Sequence, residues 1–426
     1  MSTTVTVREY ARLTTSHVEQ PTLDFAQIST SAFEWLCELN AGFSQGGAAL
    51  IQLQDRRCLK IDNYVGAVET PCGTRLEILP KHFKQGDCIQ RSRILLQSMI
   101  QASLKLPTRE AGPTSVQVFD APLTEWVIAR FLDALYHLIK RGIRFDYQRI
   151  EEEQSFLRGQ LNTARQVRQQ PARLHHFQIR HDVFLPDIPE NRLLKAALEI
   201  VCKTTQDPDS WRLSHELRTM LLEVSCSRDT AQDLIRWRKD RLMAHYQAVK
   251  PWIELIIQRQ APLAVAGAWH GMSLLFPMER LFESYVAFCL RDTLRPGATL
   301  RTQVTEEYLC VHRDRQAFQL RPDLVAELRG KRWVMDTKWK LLDGGLPGKH
   351  YGISQADIYQ MFAYGHKYLE GKGDLMLIYP RQVGFQEALP VFEYGSGLRL
   401  WVVPFDLELG KLISGSTIDV PFEVGR

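Results

Sequence analysis

A pair of short predicted strands joined by a tight turn near residue 330 constrains the fold of this chain more than any other segment. Asp323 opens the first strand, after a proline that favours extended backbone in the residue before it. Arg329-Gly330-Lys331 predicts the turn. In the second strand Val334, Asp336 and Lys338 alternate onto one face, because successive strand side chains point to opposite sides. The acid and the lysine of Asp336-Thr-Lys338 therefore point the same way.

Two acids and a lysine in this arrangement suit the hydrolysis of a phosphodiester. Two carboxylates supply hard oxygen ligands for Mg2+ or Mn2+, while the ammonium can position a water and stabilise developing charge. The pattern is PD-(D/E)xK, with Asp323 and Asp336 as predicted metal ligands, the Thr337 carbonyl as a plausible third ligand and Lys338 as the third catalytic group. The alternative, a surface hairpin with alternating charges, is commoner for an isolated Asp-x-Lys.

Two predicted helices flank these strands and carry further candidate residues. Glu283 lies among apolar residues on the first helix, where a carboxylate is costly unless it is paired or near a metal. An exposed helix edge that pairs Glu283 with Arg280 or Arg291 is the equal alternative. On the second helix, Gln360 and Tyr364 are four residues apart and share a face. In one branch of the PD-(D/E)xK nucleases, a Gln-x-x-x-Tyr helix of this kind follows the catalytic strand and braces the lysine and the substrate phosphate.

The order of predicted elements indicates an α/β multidomain protein. A helix, three strands, a helix and another strand form the α/β core expected of a nuclease domain. We predict a β-rich N-terminal domain over residues 1–112, a mainly helical middle segment over 113–267, and a restriction-endonuclease-like PD-(D/E)xK domain over 268–426. The three core strands are predicted at Tyr308–His312, Leu320–Leu328 and Trp333–Trp339, the N-terminal strands at Val5–Tyr10, Ala48–Leu53, Leu59–Val65 and Thr74–Leu79, and a linker at Leu106–Thr114.

Composition limits the functional classes without choosing one. A net charge of +4 does not argue for nucleic-acid binding, so any basic footprint must be local. Eight cysteines without a C-x-x-C pair or a His/Cys cluster argue against structural zinc and fit reduced thiols in a cytosol. No secretory signal or membrane-spanning run is visible, and we expect a cytoplasmic protein.

Beyond the triplet, several short motifs occur in one order along the chain. Together they resemble the McrC family, the nuclease subunits of McrBC modification-dependent restriction systems, over nearly the whole length. The motifs are Asp62-Asn-Tyr-Val-Gly66, Glu77-Ile-Leu-Pro-Lys81, Tyr147 with Leu157-Arg-Gly159, Asp187-Ile-Pro-Glu-Asn-Arg-Leu-Leu, and Leu281-Phe-Glu283. Asn63, Tyr64 and Gly66 equally fit a strand and a turn that the local fold requires.

The resemblance implies a division of labour in an antiviral restriction system. The N-terminal region would plug into a hexameric ring of a McrB-like AAA+ GTPase and stimulate it, while the C-terminal domain would cut double-stranded DNA with Mg2+ or Mn2+. The chain has no Walker A motif, since the nearest segment, Gly344-Gly-Leu-Pro-Gly-Lys349-His350, has the wrong glycine spacing and no Ser or Thr after the lysine. Two alternatives stay open, a catalytically idle adaptor that stimulates a ring NTPase and an autonomous RecB-like exonuclease.

Overall fold

The computed structural model describes residues 3–43, 50–81, 88–104, 122–257, 273–413 and 420–423. The chain forms two compact units. One contains Met1–Leu123 together with Gln260–Arg426, and the other contains Thr124–Arg259. The predicted domain boundaries after residues 112 and 267 lie outside the described residues and stay predictions. Both ends of the chain therefore share one compact unit.

The N-terminal segment is rich in strands, as predicted. Its elements are β1 (Thr3–Arg8), β2 (Arg12–Thr14), β3 (Phe25–Gln27), α1 (Thr30–Phe43), β4 (Ile51–Leu53), β5 (Cys58–Ile61), β6 (Tyr64–Glu69), β7 (Thr74–Leu79) and α2 (Ile89–Ser103). One sheet has the order β3-β2-β5-β4, and β1, β7 and β6 are neighbours in another. Apolar residues of both sheets and of α1, among them Val7, Leu13, Leu36 and Ile78, form one hydrophobic core.

The second unit is mainly helical but contains a small sheet that the sequence did not predict. Its elements are α3 (Leu123–Arg141), β8 (Asp146–Gln154), β9 (Gln160–Leu161), α4 (Thr163–Val167), β10 (Phe177–Leu185), α5 (Pro189–Thr204), α6 (Pro208–Met220), α7 (Thr230–Ile235) and α8 (Lys250–Ile257). The sheet has the order β8-β10-β9. The many charged residues of β8 hid its period-two burial pattern, in which Tyr147, Arg149 and Glu151 face solvent.

The C-terminal segment builds a mixed sheet between helices. Its elements are β11 (Leu274–Pro277), α9 (Met278–Asp292), β12 (Thr299–Thr302), β13 (Tyr308–His312), β14 (Arg315–Gln319), β15 (Leu324–Leu328), β16 (Lys331–Thr337), α10 (Gln355–Tyr368), β17 (Gly373–Pro380), β18 (Phe392–Tyr394), β19 (Leu398–Asp406) and β20 (Lys411–Leu412). The sheet order is β12-β15-β16-β17-β19-β18, with β20 on β19. β15 and β16 are antiparallel, whereas β16, β17 and β19 run parallel.

Strand β11 joins the N-terminal sheet to the C-terminal segment. It pairs with β6 and completes the order β1-β7-β6-β11, and α9 begins directly after it. The two strands approach closely at Gly66, where φ is 134° and a Cβ atom would lie 1.8 Å from the Leu274 carbonyl oxygen. Only glycine fits such a contact. The motif that ends at Gly66 therefore has a structural role here, which agrees with the strand-and-turn interpretation.

Two predictions for the C-terminal sheet were wrong. The predicted strand Tyr308–His312 exists, but it pairs with Arg315–Gln319 in a separate hairpin, and the sheet strand beside β15 is Thr299–Thr302. The predicted strand Leu320–Leu328 begins only at Leu324. A period-two pattern identifies a strand but does not identify its partner. Here Tyr308–His312 pairs with the strand that directly follows it, and β15 takes its partner from before this hairpin.

Smaller differences lie in the N-terminal segment. The predicted strand Leu59–Val65 is broken into β5 and β6, which belong to different sheets. Part of the predicted strand Ala48–Leu53 and the linker Leu106–Thr114 fall outside the described residues. All eight cysteines are free thiols. Among the described helices, none has the length and apolar character that a bilayer crossing requires.

Candidate active site

The antiparallel strands β15 and β16 bring the two predicted metal ligands together. Leu324 pairs with Met335, and the same register continued by one residue sets Asp323 opposite Asp336. The backbone N–H and the hydroxyl of Thr337 both donate to Asp323 Oδ2, at 2.8 and 2.7 Å. The other carboxylate oxygen, Asp323 Oδ1, lies 3.5 Å from Gln303 Nε2. Asp336 is only 2% exposed.

Lys338 lies among oxygen atoms from β16 and α10. Its Nζ is 2.7 Å from Asp336 Oδ2 and donates to Gln360 Oε1 at 2.9 Å. Asp357 Oδ1 is 3.9 Å away. The ammonium is thus held beside the acid with which it shares a strand face, and Gln360 fixes its direction.

The helix α10 connects this lysine to the backbone that precedes Asp323. Gln360 uses its other amide atom, Nε2, to donate to the Tyr364 hydroxyl at 2.8 Å. Tyr364 in turn donates to the Arg321 carbonyl at 2.9 Å and is almost fully buried. The predicted pair on one helix face therefore forms a continuous hydrogen-bonded chain from Lys338 to the start of β15.

Glu283 on α9 lies beside Asp323, and Gln303 links the two. Gln303 Nε2 donates to Glu283 Oε1 at 2.5 Å and contacts Asp323 Oδ1 at 3.5 Å. Glu283 is half-buried, and within the described residues no ion pair joins it to Arg280 or Arg291. Of the two interpretations of Glu283, the geometry therefore favours a place among the site carboxylates.

The carboxylates of the site are held in surroundings that disfavour their charge. Burial, followed by the charge of Asp323, raises the pKa of Glu283 to about 7. The pKa of Asp336 is also raised, mainly by burial and next by the charge of Asp323. Burial raises the pKa of Asp323. For Lys338, burial opposes the charged form, but Asp336 outweighs it and holds the pKa above its ordinary value. The site thus concentrates negative charge that a single ammonium does not balance.

A hard divalent cation fits this donor set. Within the described ranges, no group of three or more His, Cys, Asp or Glu side chains is arranged to hold a metal ion. Asp323 and Asp336 offer two carboxylates at facing positions, and the Thr337 carbonyl lies on the strand of Asp336. All these donors are oxygen atoms, which suit Mg2+ or Mn2+. Burial is the largest cause of the raised pKa of both acids, and the charge of Asp323 adds to it at Asp336. A bound cation would favour the charged forms of both carboxylates.

Two residues of the site were not predicted from the sequence. Gln303 follows β12 with a left-handed backbone, φ 51°, which is uncommon for a residue with a side chain, and no motif marks it. Asp357 lies in the first turn of α10. Besides lying near Lys338, its carboxylate accepts from Lys340 Nζ at 3.0 Å and from the Tyr379 hydroxyl at 3.3 Å. Lys338 and Lys340 follow β16 at alternate positions, and this spacing of two lysines is a signal that an acid should face them.

The N-terminal segment also reaches this region. Glu9, fully buried after β1, accepts from Trp339 Nε1 at 3.0 Å through both carboxylate oxygens, and from the Lys81 backbone N–H at 2.8 Å. Burial raises the Glu9 pKa to about 7. Trp339 packs against Phe282 of α9, with ring centroids 5.2 Å apart. The residue after Lys338 is therefore fixed from two sides.

Comparison with known proteins gives one family and a shared fold. A family model described as a McrBC 5-methylcytosine restriction system component matches residues 59–380. No curated protein matches the sequence. One similar solved structure is the refined half-complex from a tetradecameric assembly of Thermococcus gammatolerans McrB AAA+ hexamers with bound McrC. The match has 18% identity and a TM-score of 0.70 and covers 98% of this chain and 97% of that chain.

A second solved structure is the cryo-EM structure of the Thermococcus gammatolerans McrBC complex. It is 19% identical, with a TM-score of 0.52, over 68% of this chain and 87% of that chain. At such identities the likeness is one of fold. It extends over almost the full length in the first structure, and so includes both compact units.

Proposed function

Because the chain belongs to the family of McrBC 5-methylcytosine restriction system components, we propose that it is a McrC-type subunit, a metal-dependent DNA endonuclease that acts with a McrB-like AAA+ GTPase. The observation that carries the proposal is the position of the Lys338 ammonium, which is held by Asp336 and Gln360. Asp336 lies on the strand that pairs with the strand beginning after Asp323. The McrC resemblance noted in the sequence is confirmed.

The residues of the site have separate tasks in this proposal. Bound Mg2+ would offset the charge of the scissile phosphate and favour hydroxide near neutral pH. Asp323 and Asp336 would hold it, and the two hydrogen bonds from Thr337 keep the Asp323 carboxylate in place for this. Lys338 would orient the attacking water and stabilise charge on the phosphate oxygens. Gln360 keeps the ammonium aimed into the site, with Tyr364 behind it.

The proposed partner follows from the family and from the fold. The similar Thermococcus structure contains McrB AAA+ hexamers with bound McrC, and this chain has that fold but carries no Walker A motif. We propose that nucleotide hydrolysis belongs to a hexameric McrB-like GTPase and that this chain stimulates it. Double-stranded DNA, which the partner would deliver, is the proposed substrate, in an antiviral restriction system.

Plasmid cleavage with Mg2+ tests the proposal. The protein is incubated with modified or unmodified plasmid, alone and with a McrB-like AAA+ protein, with GTP, ATP or EDTA. We expect cutting only with the partner, a nucleotide and free Mg2+. Degradation from DNA ends by the protein alone would contradict this and favour an autonomous exonuclease. Stimulated nucleotide hydrolysis without cutting would favour the idle adaptor.

Gln303 offers a prediction about the cation. Replacing Gln303 with alanine should weaken Mn2+ binding by roughly 10- to 100-fold, since a lost hydrogen bond to a ligating carboxylate has effects of this size. Electron paramagnetic resonance of Mn2+ in the absence of DNA measures the affinity. Gln303→Asn keeps an amide and tolerates the left-handed backbone, so it should bind better than Gln303→Ala. Gln319→Ala is the control, because its amide contacts only Thr305 and Tyr308. Equal affinity in Gln303→Ala and wild type would exclude this role.

A further inference from the structure

A two-stranded hairpin projects beside the candidate active site, and the proposed chemistry does not use it. We define the arm as residues 308–319, that is, β13, its turn and β14. These strands pair only with each other. Arg313 and Asp314 form the turn, with φ values of 48° and 59°, which is the left-handed geometry of a tight two-residue hairpin turn. An isolated hairpin is at best marginally stable in water, so its persistence here needs an anchor.

The anchor is the helix that also positions Lys338. The Tyr368 hydroxyl on α10 lies 3.2 Å from both the Val304 and the Leu320 carbonyls, and the Leu320 N–H donates to the Glu307 carbonyl at 2.8 Å. Tyr364 holds the next carbonyl, that of Arg321. Both ends of the arm are therefore attached to the framework of the site, and its second strand ends just before Asp323.

The arm exposes large apolar side chains that no element of the described residues covers. Leu309 and Val311 alternate onto one face of β13 and are 46% and 69% exposed. Phe318 on β14 is 75% exposed. Three such side chains on one short hairpin indicate a contact surface, since single exposed apolar residues are ordinary but a group of them is not.

The charge of the arm is positive at its tip. Arg313 and Arg315 are exposed there, and Arg321 is exposed at the base. Within the described ranges none of the three arginines forms an ion pair. Asp314 is the only acid in residues 308–319. Unpaired guanidinium groups thus lie at the tip and at the base of the arm, and they are complementary to a phosphate backbone.

We propose that the arm binds the DNA duplex next to the cleavage position, with its arginines on phosphates and its apolar side chains against a groove. The inference rests on the proposed function. Five residues per strand give the arm a reach of about 16 Å, enough to pass from the scissile phosphate to a neighbouring groove. Apolar wedges flanked by basic residues are a known means of engaging a groove. A second copy of this chain is disfavoured, because two identical basic tips would face each other across a two-fold axis.

Salt-dependent DNA binding by the full chain tests the arm. Every variant carries Asp336→Asn to prevent cleavage, and anisotropy of a labelled duplex is measured over a series of salt concentrations. In R313Q/R315Q the slope of log K against log salt should fall by about 2, since each lost phosphate contact removes about 0.9. Phe318→Ala should weaken binding roughly tenfold or more with an unchanged slope. Arg329→Gln is the matched control, because Arg329 is also exposed at a hairpin turn with φ 52°, at the far end of β15.

The outcomes separate the arm from the nuclease proposal. The arm inference would be overturned if R313Q/R315Q bound DNA with the affinity and the slope of the Asp336→Asn parent. It would also be overturned if that parent failed to bind DNA. The nuclease proposal is tested separately, by cleavage with the complete complex. A slope change of about 1 in Arg329→Gln, half of that expected for the double variant, would mean a general charge effect and would also overturn the arm inference. A changed sedimentation coefficient in Phe318→Ala, with DNA binding intact, would assign the surface to chain–chain contact instead.

Discussion

Replacing Asp336 with alanine is expected to abolish DNA cleavage by the complete complex, with a loss of at least about 1,000-fold in rate. Asp336 is buried opposite Asp323, and without its carboxylate the proposed cation would lose one of only two acidic ligands on the paired strands. Single-turnover cleavage of plasmid, with the partner and GTP present, measures the rate. Partner-stimulated GTP hydrolysis should be unaffected, because the site does not take part in it.

The isosteric variant separates charge from packing. Asp336→Asn keeps the volume of the side chain and should be as inactive as alanine. Without metal its melting temperature should equal or exceed that of the wild type, because burial and the charge of Asp323 both disfavour the Asp336 carboxylate, and asparagine carries no charge. The exposed Asp343 supplies the control, and Asp343→Asn should cleave normally. Cleavage at the wild-type rate by a folded Asp336→Ala protein would contradict the assignment of the site.

Replacing Lys338 should reduce cleavage by roughly 100- to 10,000-fold, the range typical of a lost proton-transfer or water-orienting group. Lys338→Met keeps most of the side chain without the ammonium. Lys338→Arg should not rescue cleavage, because a planar guanidinium cannot take the place of a compact ammonium between Asp336 and Gln360. The rate assay is the same as for Asp336.

A double variant shows whether Lys338 acts in chemistry as well as in stability. Lys338→Met alone leaves the buried Asp336 carboxylate without its counter-ion, so the melting temperature should fall. D336N/K338M removes that unpaired charge and should recover the melting temperature while cleavage stays lost. Recovery of both together would mean that the lysine serves only to neutralise its neighbour.

The centre of the site could be predicted because it depends on local rules. Strand alternation sets Asp336 and Lys338 on one face, and helical spacing sets Gln360 and Tyr364 together, so four residues follow from periods of two and of four. The contacts of these side chains agree with that placement. The chemical roles of the residues stay predictions until the variants are measured.

The rest of the site depends on contacts between distant parts of the chain. Gln303 reaches Glu283 and Asp323 from a left-handed position that no pattern marks. Glu9 meets Trp339 from the other end of the chain, and nothing in either local sequence announces the pair. The partner of β15 was missed for the same reason, because Thr299–Thr302 pairs with it across the intervening hairpin. Local periodicity assigns faces, whereas tertiary packing chooses neighbours.

The strand that joins the two ends of the chain has a consequence for biosynthesis. β6 ends at Glu69, but the strand that covers its edge begins at Leu274, so the ribosome makes the entire second unit in between. At ordinary translation rates the nascent N-terminal sheet waits on the order of 10–40 s with an open edge. Open edges template aggregation. Chaperone supply and translation speed should therefore govern the yield of this protein, and shortening the inserted unit should relieve the dependence.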